Sequence, residues 1–258
     1  MIGGLLEEFP LKDKTAIITG TNRGIGFSIL ETLSKQGCNI FAHAREKNED
    51  FEKKIEVISK STSRFIEPIY FDFKDSEKLR SEMFNLIKSK VRIDILVNCA
   101  GIIHGGLFQM THINTIREVF EVNYFSMLEI TQLVCKSMIR NKKGSIINIS
   151  SVAGIDLSEG NCAYGTSKAA MIAFSKTLSY ELGKHGIRVN VVAPSLTNTD
   201  MGHSDEARKE REMLSSIDEP FKRMVQAEEI SDIVSFLASD RSSFINGQVI
   251  RIDGGNKF

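Results

Sequence analysis

Short apolar runs alternate with longer amphipathic segments along the whole chain. The short runs are rich in β-branched residues, and the longer segments repeat apolar residues three and four positions apart. The first pattern is typical of strands buried on both faces, and the second of helices that cover a sheet. Together they predict an α/β fold with a doubly wound parallel sheet and helices on both faces.

The alternation predicts seven strands and six helices. The strands are predicted at Thr15–Thr19, Asn39–His43, Phe65–Phe71, Ile93–Asn98, Ser145–Ser150, Arg188–Val192 and Gln248–Ile252. The helices are predicted at Ile25–Gln36, Asn48–Ser61, Ser76–Lys90, Thr115–Arg140, Ala163–Lys184 and Ala227–Ala238. Because no repeat, linker or change of composition divides the chain, we predict a single domain over residues 1–258.

One segment interrupts the alternation. Ser195–Arg223 is polar and carries both charge signs, and it directly follows the sixth predicted strand. Ligands of open α/β sheets bind beyond the carboxyl ends of the strands. We therefore predict a substrate lid here, with a solvated insertion as the alternative.

Charge and hydropathy exclude several classes of protein. The 33 Lys and Arg balance 33 Asp and Glu, which removes the broad field that nucleic-acid or anionic-membrane binding needs. No apolar run approaches the ~18 residues of a membrane span, and the first residues lack the pattern of a signal peptide. We expect a cytoplasmic protein with no nucleic-acid or membrane partner.

The cysteines and histidines form no metal-binding motif. The four cysteines lie far apart in the sequence, with no C-x-x-C, and no H-E-x-x-H is present. We expect four reduced core thiols and no metal site.

A glycine-rich loop, Thr19–Gly26, joins the first predicted strand to the first predicted helix. Gly20 permits a tight turn, Gly24 lets the backbone approach a pyrophosphate, and Gly26 allows the helix to pack closely on the strand. The spacing is G-x-x-x-G-x-G rather than G-x-G-x-x-G. The loop predicts a dinucleotide site at the helix N-terminus, the alternative being an ordinary glycine turn.

The end of the second strand bears on the choice of cofactor. An acid there normally binds the ribose hydroxyls of NAD, whereas arginine suits the 2′-phosphate of NADP. Here the strand ends in His43, Ala44 and Arg45, and Arg23 in the glycine loop is a second candidate for a phosphate. NADP(H) is therefore favoured over NAD(H), which would require Glu46 to act as the acid. Two solvated arginines are the alternative.

A tyrosine with lysine four positions on, both on one helix face, can supply a proton to a carbonyl. Three such pairs occur: Tyr70 with Lys74, Tyr164 with Lys168, and Tyr180 with Lys184. A serine thirteen residues upstream accompanies both Tyr164 (Ser151) and Tyr180 (Ser167). Ser167 and Tyr180 would lie ~20 Å apart on one helix. Ser151 instead follows a strand and can fold back to Tyr164, while Tyr70 is expected within a strand.

With these segments placed, a series of motifs runs through the chain. They are Thr19–Gly26, Asp72, Asn98-Cys99-Ala100-Gly101, Asn123, Ser150-Ser151-Val152-Ala153-Gly154, Tyr164-Gly165-Thr166-Ser167-Lys168, Arg188–Pro194 and Asp253-Gly254-Gly255. In this order they resemble the short-chain dehydrogenase/reductase family over essentially the whole length. The resemblance implies the Rossmann-like form of the predicted fold, as a single dinucleotide-binding reductase domain.

The resemblance also implies the roles of individual residues. Ser151 would hold the substrate oxygen, Tyr164 would give it a proton, and Lys168 would bind the nicotinamide ribose and lower the pKa of the tyrosine. Asn123 would hold a water for proton relay. The implied cofactor contacts are Gly20, Asn22, Arg23, Gly24, Ile25, Gly26, Arg45, Asp72, Phe73, Asn98, Ala100, Gly101, Tyr164, Lys168, Pro194, Thr197 and Thr199.

Within the family, the V-N-V-V-A-P and T-D-M strings are most similar to those of bacterial 3-oxoacyl-[acyl-carrier-protein] reductases. This similarity implies NADPH-dependent reduction of a 3-oxoacyl thioester on acyl carrier protein, a role in fatty acid biosynthesis and a homotetramer. The alternatives are a sugar, glycan precursor or other secondary alcohol as substrate, or a non-catalytic nucleotide-binding regulator. A basic rim could receive the acidic carrier, formed by Lys136, Arg140, Lys142, Lys143, Lys184 and His185. The alternative is that these charges only complement the dipoles at the ends of their helices.

Two residues depart from the family pattern. Ser195 follows Pro194 where the family has glycine, which predicts a shifted nicotinamide ring or a narrower site. Cys99 replaces the second asparagine of N-N-A-G, and we expect it to be a small buried residue without redox chemistry.

Overall fold

Seven parallel strands form one sheet in the order β3-β2-β1-β4-β5-β6-β7. The computed structural model describes residues 10–156, 158–205, 207, 221 and 223–255. The strands are β1 (Thr15–Ile18), β2 (Asn39–Ala44), β3 (Ile66–Tyr70), β4 (Ile95–Asn98), β5 (Gly144–Ile149), β6 (Ile187–Pro194) and β7 (Val249–Ile252). The predicted doubly wound sheet is confirmed.

Helices cover both faces of the sheet. Those within the described residues are α1 (Gly24–Lys35), α2 (Glu49–Thr62), α3 (Ser76–Lys88), α4 (Ile113–Phe120), α5 (Ser126–Asn141), α6 (Cys162–Gly183) and α7 (Ala227–Ala238). Successive strand residues point to opposite faces, so Ile17 and Ile18 enter different cores. One core is closed by α1, α2 and α7, and the other by α3, α5 and α6.

The predicted helix Thr115–Arg140 is interrupted. Between α4 and α5 lies a π-helical turn, Glu121–Phe125, which contains Asn123. Such a turn adds one residue to the helix, and single π turns are frequent at functional sites. Here both Val122 and Asn123 are buried. The sequence pattern missed this turn because an added residue barely changes the spacing of the apolar positions.

The remaining differences concern element ends and one cysteine. Strand β2 continues to Ala44, so Arg45 follows it directly, and β6 continues to Pro194. The expectation of four core thiols is wrong for Cys162, which is exposed at the first turn of α6. Cys38 and Cys135 are buried and Cys99 is half-buried, and all four are free thiols.

Two kinds of feature are absent from the described residues. None of the helices there is long and apolar enough to cross a membrane. No group of His, Cys, Asp and Glu side chains in the same part of the chain is arranged to hold a metal ion.

Candidate active site

A cleft with a volume of about 360 Å³ opens at the carboxyl ends of the central strands. The strand order reverses between β1 and β4, and their outgoing loops diverge to opposite faces of the sheet. Crevices at such reversal points are the usual ligand sites of doubly wound sheets. The fold therefore places the glycine loop after β1 and the Ala100-Gly101 segment after β4 on two walls of one cleft.

The glycine loop packs against the segment after β4 and against the start of α1 so closely that no side chain fits at Gly20 or Gly26. Gly20 has φ +73°, and a Cβ atom there would lie 2.8 Å from the Cα of Ala100. A Cβ on Gly26 would lie 2.1 Å from the carbonyl oxygen of Gly20. Helix α1 starts at Gly24 without a capping side chain from Arg23 and without an acidic residue in its first turn. Its first amides thus form a site suited to a phosphate.

Two arginines stand at the outer end of this cleft. Arg23 pairs with Asp200 at 3.5 Å, and Arg45 pairs with Glu46, also at 3.5 Å. All four side chains are exposed and line the cleft. Exposed pairs of this kind contribute little energy, so either arginine can exchange its partner for a phosphate.

A second pocket adjoins the cleft and brings three of the predicted catalytic side chains together. Ser151, Tyr164 and Lys168 all line it. Ser151 begins the short 3₁₀ turn after β5, while Tyr164 and Lys168 lie one turn apart on α6. The Lys168 ammonium lies 5.8 Å from the centre of the Tyr164 ring.

The competing tyrosines lie outside this pocket. Tyr70 is in β3 and donates its hydroxyl to Glu52 at 3.0 Å. Tyr180 is 91% exposed on the surface of α6. Among the described tyrosines, Tyr164 alone lines the pocket.

Two glycines allow the serine turn to pack directly on α6. A Cβ on Gly154 would lie 2.8 Å from the backbone of Lys168 and Ala169. A Cβ on Gly165 would lie 2.6 Å from the carbonyl oxygen of Ala153. Side chains at either position would therefore push the turn away from the helix. This close packing brings Ser151 to the same pocket as Tyr164.

Lys168 is buried, with its side chain inside the protein and its ammonium toward the pocket. The Nζ atom donates to the carbonyl oxygen of Ile149 at 2.9 Å. Burial lowers the pKa of Lys168 from 10.5 to about 8, since a low-polarity surrounding disfavours the cation. The group is thus largely charged at neutral pH and can exchange a proton near it.

Asn123 lies beside this lysine, but its side chain is already engaged. Its Nδ2 atom donates to the Ile102 carbonyl at 2.9 Å and to Ser167 Oγ at 3.0 Å, and its Oδ1 accepts from Ile102 N–H at 2.8 Å. Both amide hydrogens are therefore in use. The side chain fastens the segment after β4 to the π turn and to α6.

The remaining predicted contacts divide between the two pockets. The cleft is lined by Gly20, Asn22, Arg23, Gly24, Ile25, Gly26, Arg45, Asp72, Phe73, Ala100, Gly101 and Thr199. The second pocket adds Pro194 and Thr197 to Tyr164 and Lys168. Asn98 lines neither, because its amide is turned into the sheet, where it donates to Thr131 at 3.0 Å and Asn148 at 2.8 Å.

The structure places three further residues at the pockets that were not among the predicted site residues. Cys99 lines both pockets, and burial raises the pKa of its thiol to about 12, so it stays protonated. His43 lies in the wall of the cleft. Only its place at a strand end pointed to it. Ser195 lines the second pocket without a positive φ, so its backbone needs no glycine.

The structure describes only part of the predicted lid, Ser195–Arg223. Met201, Gly202 and Ala207 line the second pocket, and Thr199 lies over Gly24, where an added Cβ would be 3.3 Å from its methyl group. Residues 206, 208–220 and 222 lie outside the described part of the chain.

Comparison with known proteins agrees with this geometry. A family model described as enoyl-(acyl carrier protein) reductase matches residues 20–257. The 3-oxoacyl-[acyl-carrier-protein] reductase FabG of Chlamydia trachomatis is 36% identical over 245 residues, covering 95% of this chain and 98% of that protein. The enzyme of the same name from Thermotoga maritima is 34% identical over 247 residues, covering 95% and 98%.

Solved structures show the same architecture. One is a protein from Beutenbergia cavernae described as an NAD(P)-dependent gluconate 5-dehydrogenase and solved with NADP at low occupancy. It is 28% identical with a TM-score of 0.88, covering 96% of this chain and 98% of that one. A protein from Agrobacterium tumefaciens described as a gluconate dehydrogenase is 25% identical with a TM-score of 0.88, covering 96% of this chain and 97% of that one. The chain therefore belongs to the short-chain dehydrogenase/reductase family and is a nicotinamide-dependent oxidoreductase that reduces ketones.

Proposed function

We propose that the chain, as one reductase domain over residues 1–258, uses NADPH to reduce a 3-oxoacyl thioester carried by acyl carrier protein. The observation that carries this proposal is the pairing of two pockets, one suited to a dinucleotide and one holding Ser151, Tyr164 and Lys168. The curated relatives at 34–36% identity act on this substrate class by name. The cofactor supplies the hydride when bound.

The residues of the second pocket divide the remaining work. Ser151 Oγ holds the ketone oxygen, and Tyr164 donates the proton that this oxygen needs as hydride arrives. Lys168 stabilises the resulting phenolate by its charge and binds the nicotinamide ribose. The Asn123 side chain positions the wall through its hydrogen bonds to Ile102 and Ser167, and the residue remains the proposed holder of a water for proton relay.

The lining of this pocket favours an acyl substrate over a polyol. Ile103, Leu196, Met201 and Ala207 form an apolar part of its wall, and Ser195, Thr197 and Thr199 also line the pocket. A sugar would leave hydroxyl groups without partners against this wall, and unpaired buried hydroxyls weaken binding. Oxidation of a sugar or another secondary alcohol to the ketone, with the oxidised nicotinamide dinucleotide as hydride acceptor, is the second candidate, because proteins described as gluconate dehydrogenases share the fold at a TM-score of 0.88.

The test of this proposal is turnover of NADPH with acetoacetyl thioesters of acyl carrier protein and of pantetheine. We expect oxidation of NADPH with both, with a lower KM for the carrier-bound form. Binding of NADPH without turnover of either thioester, together with oxidation of a polyol when NADP+ is supplied, would support the second candidate instead.

NADP preference rests on Arg23 and Arg45. We expect Arg23→Ala and Arg45→Ala each to lower kcat/KM for NADPH by roughly tenfold or more, the effect of one charge-assisted hydrogen bond. Activity with NADH should change less than about twofold, because NADH lacks the 2′-phosphate. The measurement is steady-state kinetics with both cofactors. Arg241→Ala, an exposed arginine beyond α7, is the control.

Preference of the wild-type enzyme for NADH would contradict this assignment. In that case Glu46, which also lines the cleft, becomes the residue that binds the ribose hydroxyls.

The basic rim lies at the amino-terminal ends of the strands, whereas the cleft lies at their carboxyl ends. Lys142 ends α5 immediately before β5 begins at Gly144, and Lys184 ends α6 before β6. Strand β5 has six residues, so its amino-terminal end lies ~20 Å from the end that leads to Ser151. Because the rim lies away from its own pocket, we propose that it serves the active site of a second copy in the proposed homotetramer.

Lys142→Glu tests this docking surface. We expect a several-fold higher KM for the carrier-bound thioester and no change for the pantetheine thioester, since only the carrier is acidic. Lys142 is exposed, and Lys143, which pairs with Asp240 at 3.0 Å, is left intact. Lys53→Glu on α2 is a matched control. Equal effects of Lys142→Glu on both thioesters would contradict docking here.

A further inference from the structure

His43 is a buried polar residue with no assigned role, located one position before the end of β2. Only 3% of it is exposed. Its ring packs against two aromatic side chains, with centroid distances of 4.1 Å to Phe71 and 4.9 Å to Phe73. A ring with two polar nitrogens needs specific partners in such a place.

Both ring nitrogens have backbone partners. The Gly20 N–H donates to Nδ1 at 3.3 Å, and Nε2 lies 2.9 Å from the carbonyl oxygen of Phe71. A backbone N–H can only donate and a carbonyl oxygen can only accept. Nδ1 must therefore be unprotonated and Nε2 protonated, which is the neutral Nε2–H tautomer. A doubly protonated ring would direct an N–H at the N–H of Gly20.

The backbone of His43 holds the same loop. Its carbonyl oxygen accepts from the Thr21 N–H at 2.9 Å and from Thr21 Oγ1 at 3.0 Å. On the other side, Phe71 precedes Asp72, and both line the cleft. One residue thus links the phosphate-facing glycine loop to the end of β3, where Asp72 and Phe73 form the outer wall.

We infer that His43 is a positioning residue for cofactor binding, whose neutral Nε2–H ring fixes the glycine loop against the end of β3. This inference rests on the proposed binding of a nicotinamide dinucleotide in the cleft. His43 lies apart from Ser151, Tyr164 and Lys168, which line the other pocket, so it acts on cofactor affinity and leaves the hydride step unchanged.

The electrostatics agree with the geometry. Burial lowers the pKa of His43 to about 4, against the opposing effects of the Phe71 carbonyl and the Asp72 carboxylate. The ring is therefore neutral at physiological pH, as the two hydrogen bonds require.

Two substitutions separate hydrogen bonding from packing. His43→Phe keeps an aromatic ring against Phe71 and Phe73 but removes both ring hydrogen bonds. His43→Asn keeps an acceptor, its Oδ1, in reach of the Gly20 N–H. In the full-length protein, titrated with NADPH by fluorescence, we expect His43→Phe to raise the Kd roughly tenfold or more. His43→Asn should recover part of this affinity.

Kinetics give the readout that a general loss of stability would not produce. At saturating NADPH, kcat of His43→Phe should stay within about twofold of wild type, and KM for the ketone should not change. Tyr70 lies on the neighbouring strand β3 and donates one hydrogen bond to Glu52 of α2. Tyr70→Phe removes this bond, is the control and should leave the Kd for NADPH unchanged.

Several outcomes would overturn the inference. A folded His43→Phe variant with wild-type Kd would do so, as would equal losses of affinity in the Phe and Asn variants. If His43→Phe does not fold, the inference is tested by the ¹⁵N signals of the wild-type ring, which should show a proton on Nε2, and by the Kd of His43→Asn for NADPH, which should be higher than that of wild type. Protonation at Nδ1 would overturn the inference. Failure of the wild type to bind either dinucleotide would instead overturn the proposed function and this inference with it.

Discussion

Tyr164→Phe is expected to lower kcat by about 10²–10⁴-fold, the range that a positioned general acid contributes. The phenylalanine ring fills the same space in the pocket and retains the contact with Lys168, but it has no proton to give to the ketone oxygen. The Kd for NADPH should stay within about twofold, because the glycine loop and both arginines are untouched. Steady-state kinetics and direct cofactor titration measure the two effects separately.

The chain contains a matched control for this substitution. Tyr180 also has a lysine four residues on, but it is 91% exposed on α6. Tyr180→Phe should leave kcat unchanged. A small effect of Tyr164→Phe on kcat, or equal effects of the two substitutions, would remove Tyr164 from the mechanism and would favour a non-catalytic nucleotide-binding protein.

Lys168→Met is expected to cause the second large loss, lowering kcat by about 10²-fold or more. Methionine has a similar length and fills the buried channel, but it carries no charge to stabilise a phenolate and no donor for the nicotinamide ribose. Unlike Tyr164→Phe, this substitution should also raise the Kd for the cofactor. Lys184→Met, at the exposed partner of Tyr180, is the control.

The same substitution should make the fold more stable. A lysine whose pKa falls from 10.5 to about 8 on folding penalises the native state by about 3 kcal/mol at pH 7. Because the unfolded chain binds the proton more tightly, the penalty is full below pH 8 and disappears as the pH rises toward 10.5. Loss of the hydrogen bond to Ile149 reduces this gain in stability by about 1 kcal/mol.

The net gain predicts a Tm for Lys168→Met that is a few degrees above wild type at pH 7. Thermal unfolding at pH 7 and pH 10 measures the gain, which should shrink at the higher pH. A lower Tm than wild type at pH 7 would contradict the assigned burial of a charged group, whatever happens to kcat.

The sequence alone predicted the sheet because strands buried on both faces leave a direct record. Ile17 and Ile18 are adjacent, and each enters a different core, so both must be apolar. The glycine loop was equally readable. Gly20 and Gly26 lie where any side chain would collide with the backbone, so the residue type itself reports the close approach.

The choice among three tyrosines came from combining spacing with the predicted elements. Spacing alone gave three equal pairs. Placing Ser151 after a strand and Tyr164 at the start of a helix singled out one pair, and the structure places both residues in the same pocket.

Tertiary structure decided which polar groups are already occupied and which edge of the sheet each residue reaches. The family resemblance implied Asn98 as a cofactor contact and Asn123 as the holder of a relay water, and the structure adds that their amide NH2 groups donate to Thr131, Asn148, Ile102 and Ser167. Such hydrogen bonds join residues far apart in the chain, so no local pattern records them.

The same reason explains His43 and the basic rim. Nothing next to His43 in the sequence shows that Gly20 and Phe71 will face its two nitrogens. The cluster that ends in Lys142 was visible as charge, but only the direction of β5 places it at the edge away from the cleft. Periodicity thus determined the sheet, and motif spacing within the predicted elements determined the phosphate loop and the Tyr164–Lys168 pair, because these depend on local steric and burial constraints, while the family resemblance supplied the catalytic roles. The protonation state, the positioning contacts and the side of each surface depend on which distant segments meet, and the folded chain alone determines that.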